Sequence, residues 1–199
     1  MTNLLDSLKV YITPELIGST AQLLAETENG ISKAIGGLAP TILAGLLEKS
    51  NDPHAMSGIY NTISHFDAGV LNHLGSLTGS GNLAHNDPKD ISGQLLGTVF
   101  GSKVPAITHA IAAFSGIKQS SASALLGLAG PLVMGLLQQK ISSESLNVTG
   151  LINLLRTERA HILNLLPAGT GILLGLTSPS NTTPAVDTAS TGNSWLIPL

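Results

Sequence analysis

Histidine is the residue type in this sequence best suited to bind a metal ion or to move a proton near neutral pH. Six histidines are present, and His65 and His73 lie closest together, with Asp67 between them. No two of the six are four residues apart, the spacing that places two imidazoles on one face of a helix in metal-binding motifs. We therefore expect no metal site, and exposed or capping roles for the isolated histidines, His54, His85, His109 and His161.

Nucleophilic catalysis would need a serine, threonine or cysteine beside a positioned base. The chain has no cysteine, which excludes thiolate catalysis, disulfides and cysteine-ligated metal centres. Its serine pairs, Ser120-Ser121 and Ser142-Ser143, stand in capping contexts, and no G-x-S-x-G motif is present. Gly169-Thr170-Gly171 is the nearest approach to a phosphate-binding loop, but no Gly-Lys-Ser/Thr follows it. It predicts a helix break instead.

Paired carboxylates could act together as a general acid and a general base. Glu26 and Glu28 are two residues apart, so they would point away from each other on a helix. Asp87 and Asp90 fit the first turn of a helix, where negative charge is stabilised by the helix dipole. We expect no catalytic residue and no cofactor from these pairs.

The elements that carry these residues are predicted to be helices. Thr13-Pro14, Asp52-Pro53 and Asp87-Pro88 each place a capping residue before a proline, the order found at helix starts. Asn29-Gly30 is a predicted left-handed helix stop, and no segment alternates as a strand would. The sequence thus predicts an all-α fold, a helical bundle with helices near residues 3–11, 14–28, 32–49, 53–64, 68–76, 88–100, 104–114, 119–140, 147–155 and 158–166.

The chain also resembles itself. Residues 37–47, GLAPTILAGLL, match residues 127–137, GLAGPLVMGLL, at an offset of 90 residues, and residues 58–61 and 70–74 match 150–153 and 162–166 at an offset of 92. A repeat of this length predicts one helical module of roughly 80 to 90 residues that occurs twice in tandem. We expect the first copy over residues 1–80 and the second over residues 81–176.

The two matched segments are the most apolar parts of the chain. Residues 34–47 and 124–137 contain no charged side chain, but a membrane span takes about 20 apolar residues, and shorter runs are typical of buried core helices. Each is predicted to be a buried central helix wrapped by amphipathic helices of its own copy; membrane insertion or an oligomer interface is the alternative. Small residues in these helices would admit close neighbours. The predicted structural residues are Gly37, Gly45, Gly127, Gly135, Pro40 and Pro131.

Composition favours a large aliphatic core and few charged partners. Hydrophobic residues make up 43% of the chain and charged residues only 11%, against roughly 25% charged residues in a typical soluble domain. Formal net charge is −3, and the basic residues are scattered rather than gathered into a stripe. Nucleic acid is therefore not an expected partner.

The two ends of the sequence differ in character. The first thirteen residues lack the basic and apolar regions of a secretory signal, so we expect a cytoplasmic N-terminus. Residues 177–194 are rich in Ser, Thr and Pro and are predicted to be a disordered linker. Residues 195–199, WLIPL, resemble the start of a truncated membrane helix; the alternative is a short apolar tail that docks on the domain.

Glycine and leucine positions carry a family resemblance. Residues 93–101 (GQLLGTVFG), 114–117 (FSGI) and 124–137 (ALLGLAGPLVMGLL) resemble the bacterial domain of unknown function 937, a family related to the YidB-like proteins. The resemblance covers residues 4–176, more closely in the second copy than in the first. It implies an all-α fold and no known activity, cofactor or catalytic residue. Some relatives carry an OmpA-like, peptidoglycan-binding domain after such a linker.

Together these features predict a non-catalytic structural or interaction module with a protein partner or self-association. We expect it in the cytoplasm, anchored at the inner membrane or cell envelope through a segment beyond residue 199. One alternative is a nucleic-acid-binding protein, because residues 114–121 (FSGIKQSS) could turn like a helix-turn-helix. Another is an unrecognised hydrolase, which would need His65, His73 or His161 to meet carboxylates in a pocket.

Overall fold

A computed structural model describes residues 4–73 and 88–176. These residues form helices and no strand, which confirms the all-α prediction. Short 3₁₀ helices cover Ala68–His73 and Gly101–Lys103. The α-helices are α1 (Leu4–Tyr11), α2 (Pro14–Leu24), α3 (Glu28–Lys49), α4 (Pro53–Ser64), α5 (Pro88–Phe100), α6 (Val104–Ser115), α7 (Gln119–Glu144), α8 (Val148–Thr157), α9 (Arg159–Asn164) and α10 (Thr170–Leu173).

The boundary between α2 and α3 differs from the prediction. The left-handed stop is Ala25, with φ 51°, and not Asn29-Gly30. Thr27 starts α3 because its hydroxyl accepts a hydrogen bond from the Gly30 amide at 3.1 Å, so Gly30 lies in the first turn of the new helix. The hydrogen bond from Gly30 to Thr27 therefore sets the start of α3, and the predicted stop at Asn29-Gly30 does not form.

Helices α3 and α7 form the centre of the bundle and pack against each other. Every residue from 37 to 47 in α3 and from 129 to 137 in α7 is buried. Because each helix is apolar around its whole circumference, it needs neighbours on all sides rather than on one face. The surrounding helices supply these neighbours, and all the buried apolar residues belong to one core.

The ends of the two predicted copies pack across the molecule. The 3₁₀ helix Ala68–His73 and helix α4, from the first copy, pack mainly against α7. Helices α8 and α9, from the second copy, pack against α3. The final elements of each predicted copy thus lie against the central helix of the other copy, whereas α2 packs against α3 and both α5 and α6 pack against α7, within their own copies.

Several pairs of structural features lie 91 residues apart. The left-handed residues Ala25 and Gly116 are such a pair, as are the first residues of α3 and α7 and the buried prolines Pro40 and Pro131. The burial pattern of the first turns of α3 and α7 has the same shift. We call residues 4–73 the first half and residues 88–176 the second half, and positions 91 residues apart correspond to each other. The tandem duplication itself stays a prediction from the sequence.

Candidate functional site

The described histidines lie apart on the surface. His54, His65, His109 and His161 are all exposed. His65 Nδ1 lies 2.8 Å from the Asn61 carbonyl, one turn earlier in α4. Among the described residues no group of three or more His, Asp or Glu side chains could hold a metal ion. The side chain of His73 and all of His85 lie outside the described residues.

The carboxylate with the most specific environment is Glu26, in the connection between α2 and α3. Its Oε1 accepts hydrogen bonds from the Lys118 backbone amide at 2.9 Å and from the Ser121 hydroxyl at 2.8 Å. The Lys118 ammonium donates to the Ala25 carbonyl at 3.4 Å. Glu26 thus caps the first turn of α7 from a loop of the other half, a structural role that its spacing from Glu28 did not reveal.

These contacts also change the protonation of Glu26. The Lys118 amide, the Ser121 hydroxyl and the Lys118 charge lower the pKa of the carboxyl below its ordinary value, against a smaller opposing effect of burial. Stabilisation of the ionised form by donated hydrogen bonds and by a helix N-terminus is the expected direction. Such a carboxylate stays charged at neutral pH and holds the cap; it is not tuned to release or accept a proton there.

The predicted helix break at Gly169-Thr170-Gly171 lies where α10 begins. Gly169 has φ 88°, a left-handed conformation that favours glycine. Thr170 is buried, and its hydroxyl donates to the Pro167 carbonyl at 2.7 Å. The segment folds onto α3 and α6, so its polar groups serve the turn itself.

Residues 114–121 form a tight connection between α6 and α7. Helix α6 ends at Ser115, Gly116 has φ 73°, and α7 begins at Gln119. In a helix-turn-helix protein the second helix lies in the major groove of DNA. Here α7 is a central helix of the core, and its exposed residues lie at its two ends, within residues 119–124 and 139–144.

The glycines of the central helices differ in their surroundings. A Cβ added at Gly45 would meet Val99 and, at 2.5 Å, the ring of Phe100 on α5. A Cβ added at Gly135 would lie 2.7 Å from Leu71. At both positions a neighbouring side chain occupies the space that a side chain on the central helix would need.

Gly37 and Gly127, matched by the sequence offset of 90, are not alike. A Cβ at Gly37 would lie 2.7 Å from Pro167 and 3.3 Å from Phe114, whereas a Cβ at Gly127 would meet nothing within 4 Å. With the structural shift of 91, Gly127 corresponds instead to Gly36, which is equally open. The residue that corresponds to Gly37 is then Leu128.

Pro40 and Pro131 lie inside α3 and α7 and are buried. A proline inside a helix has no amide to donate to the carbonyl four residues earlier, and its ring presses on that carbonyl. In both helices that earlier residue is one of the open glycines, Gly36 or Gly127. Neither glycine is buried, so each proline disturbs its helix at a place that reaches the surface.

An apolar groove lies between α2, α3 and α7. It has a volume of about 350 Å³, including space open to solvent, of which only about 20 Å³ can hold the centre of a water molecule. Thr20 lines the groove, is 1% exposed, and has a hydroxyl without a hydrogen-bond partner among the described residues. The other lining residues are Leu16, Ile35, Leu125, Leu128, Ala129 and Leu132. Sequence periodicity missed this site because it depends on how three helices diverge.

Two described helices, α3 and α7, are long and apolar enough to cross a membrane by length and hydropathy. Within their most apolar windows, 83% of α3 and 72% of α7 are buried inside the protein. Core helices of soluble proteins, which are mostly buried, meet the same criterion.

The fold and these sites define a class: an all-α bundle built on two buried, glycine-containing helices, with helix caps and an apolar groove as its specific features. The sequence profile of a bacterial protein family of unknown function, DUF937, matches residues 6–140. The chain belongs to this family. The matched span contains α3 and most of α7, and it ends within α7. No curated protein and no solved structure matches the chain.

Proposed function

We propose that this bacterial protein is a non-catalytic structural and interaction module that associates with a second copy of itself. The observation that supports the proposal is a set of large apolar side chains exposed on the second half. Ile172 is 77% exposed, Leu165 52% and Phe114 47%. Apolar side chains that gather on a surface are typical of protein interaction sites.

Phe114 and the segment that carries Leu165 and Ile172 meet at Gly37. Phe114 and Pro167 both approach this glycine closely, and α10, which carries Ile172, packs against α6 and α3. We call the surface formed by Phe114, Leu165 and Ile172 the apolar face. Its side chains are supported by a packed backbone, which favours a preorganised contact surface.

Light scattering coupled to gel filtration of the whole chain tests the proposal over a range of concentrations. The double variant Leu165→Asn/Ile172→Asn should weaken self-association about tenfold or more, since tenfold corresponds to about 1.4 kcal/mol. The matched control is Val10→Asn/Leu23→Asn, which changes two exposed apolar residues of the first half and should leave the association unchanged. A protein that stays monomeric at every concentration and captures no partner from an envelope fraction would contradict the proposal.

The finer part of the proposal is a tether to the cell envelope. The polar composition of residues 177–194 and the resemblance to YidB-like proteins and to relatives with an OmpA-like domain motivate it. The test is fractionation of the natural gene product, expressed from its own locus, into cytosol and envelope. Recovery in the cytosol alone would contradict the tether but would leave self-association untouched.

The two alternatives stay predictions. Nucleic-acid binding would appear as DNA retardation that falls steeply with salt concentration. A hydrolase would need acid and base groups in one pocket, and the described histidine side chains are all exposed. The contacts of the described residues therefore support the interaction module better than either alternative.

A further inference from the structure

The groove between α2, α3 and α7 has a counterpart in the second half. With the shift of 91 residues, the groove positions Leu16, Thr20 and Leu128 correspond to Ile107, Ile111 and Gly37. These counterparts lie where α6 meets α3. The second half therefore shows which kind of segment covers such a place.

In the second half the corresponding place is filled. Helix α6 packs against both central helices, whereas α2 packs mainly against α3. The Pro167 ring lies against Gly37, and the chain then continues through α10, where Thr170 and Leu174 are buried. A short apolar segment after the last long helix therefore covers this place.

The sequence of the first half offers no apolar run at the positions that correspond to this cover. The covering segment of the second half reads TGILL at residues 170–174, and it follows Leu163-Asn164. The first half has Leu71-Asn72 at the same offset of 92, but the residues that then correspond to the cover, 78–82, read TGSGN. Serine, glycine and asparagine supply no aliphatic side chain to bury, so the groove needs an apolar segment from elsewhere.

We infer that the groove is a docking site for the apolar segment Trp195–Leu199 of the same chain. This segment, WLIPL, is the remaining strongly apolar run of the sequence outside the described residues. Like TGILL, it offers several large apolar side chains over about one turn of chain. Since the groove is narrow, the segment would lie over it and insert single side chains.

The chain can reach the groove. The segment is joined to Leu176 by about 18 residues rich in Ser, Thr and Pro, for which a flexible chain has a root-mean-square span of about 23 Å. A compact fold of this size has a radius of gyration of about 15 Å. A linker of matching span gives the docked segment a high effective concentration.

Thr20 gives the groove a polar group that the corresponding place in the second half does not have. Its buried hydroxyl is without a partner among the described residues, and the corresponding position in the second half is the apolar Ile111. A buried hydroxyl without a hydrogen bond is costly. The Trp195 indole N–H can donate to it, and this contact would favour the tail over an arbitrary apolar peptide.

Trp195 is the single tryptophan of the chain, so its fluorescence reports the docking directly. In the whole chain we expect blue-shifted emission and at least threefold weaker quenching by acrylamide than in a free peptide of residues 188–199. Leu128→Asn, at a partly buried position of the groove, should restore the quenching of the free peptide. The matched control is Leu154→Asn, which changes a partly buried leucine on α8 and should preserve the protection. Circular dichroism of each variant shows that it is folded.

Three results would overturn the inference. The first is a Trp195 as accessible to acrylamide as in the free peptide. The second is protection that appears only as protein concentration rises, which assigns the groove to the tail of a second copy. The third is protection that appears only with phospholipid vesicles, which assigns the segment to a membrane. Self-association is tested by variants of the apolar face, and docking is tested by a variant of the groove. Either proposal can therefore fail while the other holds.

Discussion

The two halves place similar helices around the central pair, but they differ in how the surface beside these helices is covered. In the second half, α6 packs against both central helices, and Pro167 lies directly on Gly37. In the first half, α2 packs mainly against α3, Leu128 takes the place of that glycine, and a groove stays open. Equivalent positions of the two halves are thus alike in the core. They differ at the surface, where the difference leaves a groove that can bind a partner.

The largest expected effect tests whether the halves share one core. Leu46 in α3 and Leu136 in α7 are almost completely buried, and a buried leucine shortened to alanine costs about 2–5 kcal/mol. Leu46→Ala and Leu136→Ala should each lower the stability of the whole molecule by this amount. Urea unfolding followed by circular dichroism, with hydrogen exchange of α3 and α7 amides, measures it. Two separate transitions, each sensitive to one substitution, would show two independent cores.

Glycine substitutions should have opposite signs at crowded and open positions. Gly45→Ala places a Cβ against Val99 and Phe100, and overpacking of this kind costs about 1–3 kcal/mol. Gly127→Ala and Gly36→Ala meet open space and should stabilise the helices by about 0.5–1 kcal/mol. The urea midpoints of the three variants check the signs. Equal effects at Gly45 and Gly127 would contradict the difference in packing.

The left-handed residues offer a matched pair of smaller changes. Ala25 adopts φ 51°, while its counterpart Gly116 adopts φ 73°. Side chains are strained in this conformation, so Ala25→Gly should stabilise the protein by about 0.5–1 kcal/mol and Gly116→Ala should destabilise it by about 1 kcal/mol or more. Thermal unfolding of both variants measures the pair. Stabilisation by Gly116→Ala would show that the turn is not fixed as described.

The smallest effect concerns the contact of Glu26 with α7. Because the pKa of Glu26 is lowered in the folded protein, its contribution is present above the pKa of the unfolded chain and is lost as pH falls through the folded pKa. Glu26→Gln should therefore lower Tm by a few degrees at pH 7 and match the unsubstituted protein in strong acid. Glu28→Gln is the control, since Glu28 begins α3 without this cap. A pH-independent difference for Glu26→Gln would contradict the ionic part of the cap.

The helices could be predicted because their signals are local. Thr13 and Asp52 cap α2 and α4 with hydrogen bonds to nearby amides, and each is followed by a proline at the first helical position. The boundary at Glu28 was missed because Thr27 and Asn29-Gly30 are both acceptable local signals. In the structure the Thr27 hydroxyl caps the new helix, and the neighbouring Glu26 is bound to the start of α7, a contact between distant segments that no local pattern shows.

The candidate sites could be predicted only in part. That no two histidines have the four-residue spacing of a helical metal motif was visible in the sequence, because helical geometry links spacing to position. The groove was not visible, since Leu16 on α2 and Leu132 on α7 are separated by more than a hundred residues and meet only through the packing of α3. Likewise, the matched glycines showed where close packing was expected but not which neighbour would fill the space.

The sequence by itself determined that this chain forms helices and that most of residues 34–47 and 124–137 are buried, because capping and the density of apolar residues act over a few residues. Only the tertiary structure decided that the final elements of each half lie against the central helix of the other, that Gly37 is covered while the place at Leu128 is open, and that Glu26 caps α7. Apolar spacing shows that a helix face must be buried against some neighbour. Which neighbour covers it depends on how helices far apart in the sequence fit together, and the spacing of nearby residues does not contain this information.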